Sequence, residues 1–281
     1  MRVLVVGGGG FLGRTLVQAA AARGCEVYAT YHSAPPRQVG PVRWLPAELR
    51  DPDEMTAVVR KTGCDVVVNA AHGKADWAVT AQGAVHVAAA ALAAQAHLVH
   101  VSSDAVFSGT EVSYGEECWP DPVTVYGAAK AAAETGVRAV MPSAAVVRTS
   151  LLVGDGPLGP AGMGAHERLV HDLASGARSG RLFSDDVRCP VHVADLAGAL
   201  LELAEGRLGG MFHCAGADAV SRLEFGQLVA ARDGLDASRL IGDERRVSGP
   251  PGPLEVRLVG QQTRRVLRTR LRGAREFLAV E

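Results

Sequence analysis

Short apolar runs rich in β-branched residues recur through the first half of the chain, each followed by a longer alanine-rich or amphipathic stretch. Val3 to Val6 is the first run, and a helix is expected from about Phe11 to Arg23. Glu26 to Thr30 and Val42 to Leu45 read as the second and third strands. The segment Glu48-Leu49-Arg50-Asp51 then leads into a helix reaching about Lys61. Asp65 to Asn69 is the next buried strand, Val79 to Ala96 a long helix, His97 to Ser102 another strand, and Ala144 to Arg148 the last strong one. Unbroken apolar runs, as opposed to alternating ones, mark strands covered on both faces. Strands alternating with helices predict an α/β fold, a doubly wound parallel sheet with helices on both faces.

After Gly154 the texture changes to a Gly/Pro-rich loop, Asp155 to Gly164, and more scattered elements. Helices are expected at His166 to Ala174 and Asp195 to Glu205, with a short strand at Met211 to Cys214. Ser221-Arg222-Leu223-Glu224 has the form of a capping box opening a helix to about Ala231. The arginine-rich tail from Arg264 to Arg275 carries leucines, with Phe277 following, and reads as a docked amphipathic segment with solvated arginines. Residues 1–155 are thus expected to form a nucleotide-binding domain and 156–281 a smaller, mainly substrate-binding α/β region. The chain is expected to cross back to the sheet around 185–200.

The first strand runs into Gly7-Gly8-Gly9-Gly10-Phe11-Leu12-Gly13, and strand, glycine loop and helix together are the context of a dinucleotide site. Gly7 permits the tight turn, Gly10 lets the backbone approach a pyrophosphate, and Gly13 allows close helix–strand packing. Phe11 and Leu12 open the helix whose free N–H groups meet the phosphates. An NAD-preferring site carries an acid about 20 positions on, at the ribose 2′-hydroxyl. Here that region reads Thr30-Tyr31-His32-Ser33, with Arg37 shortly after, so NADP(H) is favoured over NAD(H). Glu48, Leu49, Ala70 and Ala71, at the ends of later strands, complete the expected cofactor wall.

Composition narrows the class without naming a function. The 281 residues are 48% apolar and 21% charged, which is ordinary for a globular chain with a substantial core. A net charge of −1 gives no electrostatic case for nucleic acid or a membrane surface. Five scattered cysteines without a CxxC suggest neither a disulfide framework nor a thiolate metal site, and no metal is expected. No signal-peptide pattern or membrane-length segment is seen, so a cytoplasmic location is expected.

Tyr126 and Lys130 stand four apart on a predicted helix, one turn between them on one face. Only Lys61, Lys74 and Lys130 are lysines, in a basic set otherwise made of arginine. An ammonium beside the phenol is expected to lower the phenol's pKa and fit it for general acid or base work. Ser102 and Ser103 fall at the carboxyl end of a predicted strand, where ligands of such sheets sit. Ser103 is assigned the substrate oxygen, and Ser102 the capping of the local turn.

With these residues in view, the chain resembles the extended short-chain dehydrogenase/reductases, and among them the dTDP-4-dehydrorhamnose reductase family, over nearly its whole length. Gly7-x-x-Gly10-x-x-Gly13, Val67-Val68-Asn69-Ala70-Ala71 and Ser102-Ser103-Asp104-Ala105-Val106-Phe107 carry the likeness, with Tyr126-Gly127-Ala128-Ala129-Lys130 after Tyr114-Gly115-Glu116 and Pro122. Arg148-Thr149-Ser150, Val193-Ala194-Asp195-Leu196-Ala197 and Phe212-His213-Cys214-Ala215-Gly216 are also similar. The resemblance implies a Rossmann-type fold in which Tyr126 is the general acid, Lys130 bonds the nicotinamide ribose and tunes Tyr126, and Ser103 holds the substrate oxygen. Ser103, Asp104, Ala105 and Leu151 are then the substrate-side positions.

The departures fall on that substrate side. Ala105 stands where the rhamnose-forming enzymes usually have tyrosine, and Leu151 where they usually have tryptophan. His72-Gly73-Lys74-Ala75-Asp76-Trp77 replaces the usual tyrosine-containing run, and His86 an expected asparagine. Three readings follow. The first is an NADPH-dependent reductase of a keto group on a nucleotide-linked deoxysugar or related polar metabolite. The second is a tailoring ketoreductase for a non-sugar compound, and the third a non-catalytic NADP-binding regulatory subunit of a partner enzyme. A homodimer is compatible with each.

Overall fold

The computed structural model describes residues 1–35 and 41–280. Seven strands make the central sheet: β1 (Arg2–Val6), β2 (Glu26–Tyr31), β3 (Val42–Pro46), β4 (Val66–Asn69), β5 (His97–Val101), β6 (Ala145–Arg148) and β7 (Gly210–His213). They pair in the order β7-β6-β5-β4-β1-β2-β3, every pair parallel. The chain winds outward from β1 through β2 and β3, then returns to the other side of β1 with β4. At that reversal a crevice opens beyond the carboxyl ends of β1 and β4, the usual ligand position of such sheets.

Parallel neighbours need long crossovers, and helices supply them. They are α1 (Phe11–Ala22), α2 (Pro52–Thr62), α3 (Gly83–Ala93), α4 (Val125–Val140), and α5 (Ala165–Ser175) with α6 (Val193–Glu205), while α7 (Arg222–Asp233) follows the last sheet strand. The ends of α2 follow from local chemistry. Asp51 accepts from the N–H groups of Asp53 and Glu54, Pro52 takes the first turn, and Gly63 ends the helix at φ +53°.

Period-two alternation along β1 builds two cores at once. Val3 and Val5 face α1 and α6 with Leu16, Leu196 and Leu200. Leu4 and Val6 face the opposite layer with Met55, Val59, Val87 and Val137. The apolar stripes of the helices therefore cover both sides of a sheet too narrow to bury itself. A third core of Val153, Val170, Phe225, Val229 and Leu240 lies under α5 and α7.

The strand and helix pattern read from the sequence is the one observed, with local corrections. The long helix expected at Val79 to Ala96 is a π-turn at Ala78–Gln82 followed by α3. There the Thr80 hydroxyl accepts from Gly73 N–H and donates to the Lys74 carbonyl, tying the preceding loop onto the turn. The capping box of α7 is half made. Ser221 accepts from Glu224 N–H at 3.1 Å, but the Glu224 carboxylate leaves for Arg275. The arginine-rich tail holds two short helical turns, Gln261–Val266 and Ala274–Phe277. Leu267 and Leu271 pack on the first core while Arg264, Arg265 and Arg268 stay in solvent. The segment expected to cross back carries the start of α6, and the sheet is re-entered at β7. Among the described residues no helix is long and apolar enough to cross a membrane.

Candidate active site

The glycine loop closes the end of β1 in the form its spacing requires. Gly7 has φ +81°, and a Cβ there would lie 2.8 Å from the backbone of Ala71, so the loop touches the end of β4. A Cβ on Gly13 would lie 2.1 Å from the Gly7 carbonyl, so only glycine lets α1 start this close to the turn. A Cβ on Gly10 would meet only that carbonyl, at 3.3 Å, and otherwise point into open space at the cap of α1. A glycine facing open space at a helix N-terminus leaves the room that a pyrophosphate fills. Gly8 is a requirement the spacing did not show, since its Cβ would strike Ala29 at 2.7 Å.

At the expected ribose end the fold adds a carboxylate that the Thr30–Ser33 segment itself lacks. Thr30 is buried, and its hydroxyl accepts from Gly7 N–H at 3.0 Å, so it pins the loop. His32 and Ser33 are exposed at the end of β2, with His32 Nδ1 and Ser33 Oγ 3.2 Å apart. The other ring nitrogen of His32 lies 3.1 Å from the Glu48 carboxylate, which Arg50 also meets at 3.1 Å. The region is therefore not free of acid. Its carboxylate arrives from the loop after β3, and bonding by Arg50 N–H holds it below the ordinary glutamate range, with His32 helping. Leu49 is a core side chain whose carbonyl lies 2.8 Å from the His86 ring, leaving only its backbone near the crevice. Arg37 lies outside the described residues. Ala70 and Ala71 are half-buried beside Gly7, and Phe11 and Leu12 pack their side chains on the core below α1.

The catalytic candidates meet where β5 ends. Ser103 follows β5, and α4 carries Tyr126, Lys130 and Glu134 on one face at successive turns. The approach is close because residue 127 is glycine; a Cβ there would lie 2.0 Å from the Ala105 carbonyl. Lys130 is buried and donates to the Val101 carbonyl at 2.8 Å. His72, at the end of β4, sets its ring against Tyr126 at 6.3 Å between centroids.

Electrostatics reverse one expectation. The Tyr126 phenol is pushed up to about 12 by burial, with Ser103 pulling it down and Asp104 adding to the rise. Burial outweighs any help from Lys130, whose nitrogen is turned to the Val101 carbonyl. Burial in turn brings the Lys130 ammonium down to about 8, against the raising influence of Glu134. The Tyr126 phenol is thus held neutral at working pH.

The two serines divide their tasks otherwise than expected. Ser103 accepts from Ala105 N–H and donates to Asp104 Oδ1, both at 3.2 Å, so it is Ser103 that caps the turn while also facing Tyr126. Ser102 is buried and donates to Glu134 at 2.6 Å. Glu134 also takes Arg148 Nε at 3.0 Å and Nη2 at 2.8 Å, and Arg148 stacks 4.8 Å over the Phe107 ring. This buried pair anchors α4 to β6 and was missed from the sequence. The signal was available: Glu134 extends the Tyr126–Lys130 spacing by one more turn.

On the substrate side, Ala105 is half-buried and Leu151 is buried with its carbonyl accepting from Val191 N–H. Asp104 is buried, and its Oδ2 accepts from Ser150 at 2.6 Å. Among the described residues no group of His, Cys, Asp or Glu is arranged to hold a metal ion.

A family model described as the RmlD substrate binding domain matches residues 1–279. The dTDP-4-dehydrorhamnose reductase of Mycolicibacterium smegmatis is 32% identical over 294 residues, covering 99% of this chain and 84% of its own. Methionine adenosyltransferase 2 subunit beta of Danio rerio is 28% identical over 258 residues, covering 85% of this chain and 76% of that protein. In fold, the chain is similar to the dTDP-4-dehydrorhamnose reductase of Bacillus anthracis in complex with NADP, with a TM-score of 0.81 at 21% identity and coverage of 99% and 96%. By a match over residues 1–279, the chain belongs to the family of the RmlD substrate binding domain, the dTDP-4-dehydrorhamnose reductase-like group that its motifs resemble.

Proposed function

We propose that this protein is an NADPH-dependent reductase of a keto group on a nucleotide-linked deoxysugar or a related polar metabolite. The observation that carries the reading is the meeting of Ser103, Tyr126 and Lys130 at the end of β5, beside a glycine loop with room for a pyrophosphate. Residues 1–155 then serve mainly the cofactor and 156–281 mainly the substrate.

The glycine loop and Lys130 would hold a nicotinamide cofactor, which would supply the hydride for the carbonyl carbon. The protein's part is to hold the carbonyl and deliver a proton. Tyr126, neutral with its phenol near 12, gives its proton to the oxygen as negative charge develops there. Ser103, already facing the phenol, orients that oxygen. Lys130, one turn deeper on the same helix face, would hold a ribose hydroxyl of the bound cofactor and offset the charge of the tyrosinate left after transfer. NADPH is favoured because Ser33 offers an exposed hydroxyl at the end of β2, and because Arg50 and His32 engage the Glu48 carboxylate.

The test is NADPH oxidation with dTDP-4-dehydrorhamnose and a panel of other keto sugars. Tyr126→Phe should keep NADPH affinity and lower turnover by at least ~10²-fold, the scale of a lost general acid. Unchanged turnover refutes the mechanism. A second reading comes from the likeness to a methionine adenosyltransferase subunit: a binding subunit in which the same residues are idle. Unchanged Tyr126→Phe behaviour together with a stable complex with such a transferase supports it.

A further inference from the structure

From Ser103 a line of charged side chains leads into the C-terminal region. Asp104 Oδ2 lies 3.7 Å from Arg188 Nε, and Arg188 Nη1 lies 2.9 Å from Asp186 Oδ1. The same wholly buried Asp186 draws Arg222 Nε at 3.3 Å and Arg245 Nη2 at 2.6 Å. Arg188 spends its other contacts on the carbonyls of Val187, Leu254 and Pro253. The next carboxylate, Asp185, is engaged by the backbone N–H groups of Arg245 and Arg246. Three guanidiniums thus share Asp186 and Asp104, which leaves one positive charge without a carboxylate of its own. A charge in a largely buried setting is costly unless compensated.

Arg222 makes the longest of the three contacts to Asp186. Its Nη1 donates to His166 Nδ1 at 3.2 Å, and Nη2 has no protein partner among the described residues. Because an arginine only donates, His166 Nδ1 is the acceptor and the proton sits on Nε2. Nε2 also has no protein partner among the described residues, and burial keeps the ring neutral, at about 3. Two N–H donors without a protein partner among the described residues therefore belong to side chains that meet between the first turns of α7 and α5, the positive ends of two helices.

Their position is between the two halves of the site. At the cap of α5, a Cβ on Gly164 would lie 3.2 Å from the ring of Phe11, the residue that opens α1 after the glycine loop. On the other side, Asp104 follows Ser103 and bears electrostatically on Arg222. We propose that Arg222 and His166 form a subsite for an anionic oxygen group, phosphate or carboxylate, carried by the keto substrate. The proposal rests on the reductase reading and adds to it which residues select a charged substrate. It fits the substrate-side departures, since Ala105 and Leu151 supply no polar group of their own.

Calorimetric titration with thymidine diphosphate, pyrophosphate and glucuronate tests it without turnover, with NADP⁺ titrated into each variant as a check on folding. Wild type should bind at least one probe, and Arg222→Gln should bind it at least about tenfold more weakly, as for one lost charge-assisted contact, with NADP⁺ affinity unchanged. His166→Ala should weaken the same probe by less. Loss confined to the two diphosphates identifies phosphate as the group, and loss confined to glucuronate identifies carboxylate. If the glutamine variant does not fold, Arg222→Lys decides, with weaker probe binding beside intact NADP⁺ binding as support. No probe bound by wild type, or probe affinity unchanged in a variant that still binds NADP⁺, overturns the subsite. Because no chemistry is measured, the subsite can fail while Tyr126→Phe still abolishes reduction, and the reverse.

Discussion

Replacing Lys130 by methionine should change how the stability of the protein depends on pH. In the fold the ammonium is buried and its pKa falls from 10.5 to about 8, with desolvation the largest cause. In the unfolded chain it returns to its ordinary value. Between about pH 8 and 10.5 the unfolded state therefore binds more protons than the native state, and native stability rises with pH through that window. The slope is ~1.4 kcal/mol per pH unit, and over the whole window the gain is on the order of 3 kcal/mol. Urea denaturation at steps from pH 7 to 10.5 measures it. The difference between wild type and Lys130→Met should move in favour of wild type above pH 8 and stay flat below. Two parallel curves would mean that Lys130 titrates near its ordinary value and is not desolvated. The same ammonium gives a kinetic counterpart: turnover should fall as pH rises through about 8, while Tyr126, near 12, stays protonated.

Further changes probe other parts of the site. Gly10→Val should abolish NADPH binding with an unchanged circular dichroism spectrum, because its side chain would enter the open space at the cap of α1; retained affinity would reduce the loop to a turn. Glu48→Gln should raise the preference for NADPH over NADH by about three- to tenfold, the scale of one solvent-screened charge. Equal ratios in fluorescence titrations would place the 2′ position away from Glu48. Glu134→Gln should destabilise by about 3–5 kcal/mol in urea, the cost of leaving Arg148 buried with half its partner. A loss under about 1 kcal/mol would show that α4 is held by packing alone.

How much of this was legible depends on how local the cause is. Strands β1 and β4 announce themselves because a buried parallel strand leaves an unbroken apolar run, and the glycine spacing reports a turn made within seven residues of chain. The acid that meets His32 was not legible at the end of the second strand, because the contact is not sequence-local. Glu48 sits sixteen positions from His32 and meets it only once β2 and β3 are paired. The downward shift expected for Tyr126 failed for a related reason. Spacing puts Lys130 on the same face, but only the fold shows its nitrogen turned to the Val101 carbonyl and the phenol desolvated. Equally, the division of labour between Ser102 and Ser103 follows from which hydroxyl meets Glu134, and Glu134 reaches β5 only through α4.

The face of α4 joins catalysis to the core in a way that either reading of the sequence alone would separate. Tyr126 opens the face at the crevice, Lys130 lies a turn deeper against β5, and Glu134 a turn deeper still against Arg148 of β6. Each step inward trades solvent for a fixed partner, so the outermost residue, the one proposed to meet a substrate, is held by the two beneath it. A helix shift that moved Tyr126 would have to pull Lys130 from a carbonyl and Glu134 from a guanidinium together. Buried charged contacts of this kind are costly to break singly. The pair Glu134–Arg148 is therefore a positioning device for Tyr126, and its effect should appear in turnover as well as in stability. Arg148→Lys, which keeps the charge but loses the fork, should then lower turnover while NADPH affinity is unchanged. Turnover at the wild-type level in a folded Arg148→Lys protein would confine the pair to holding the core.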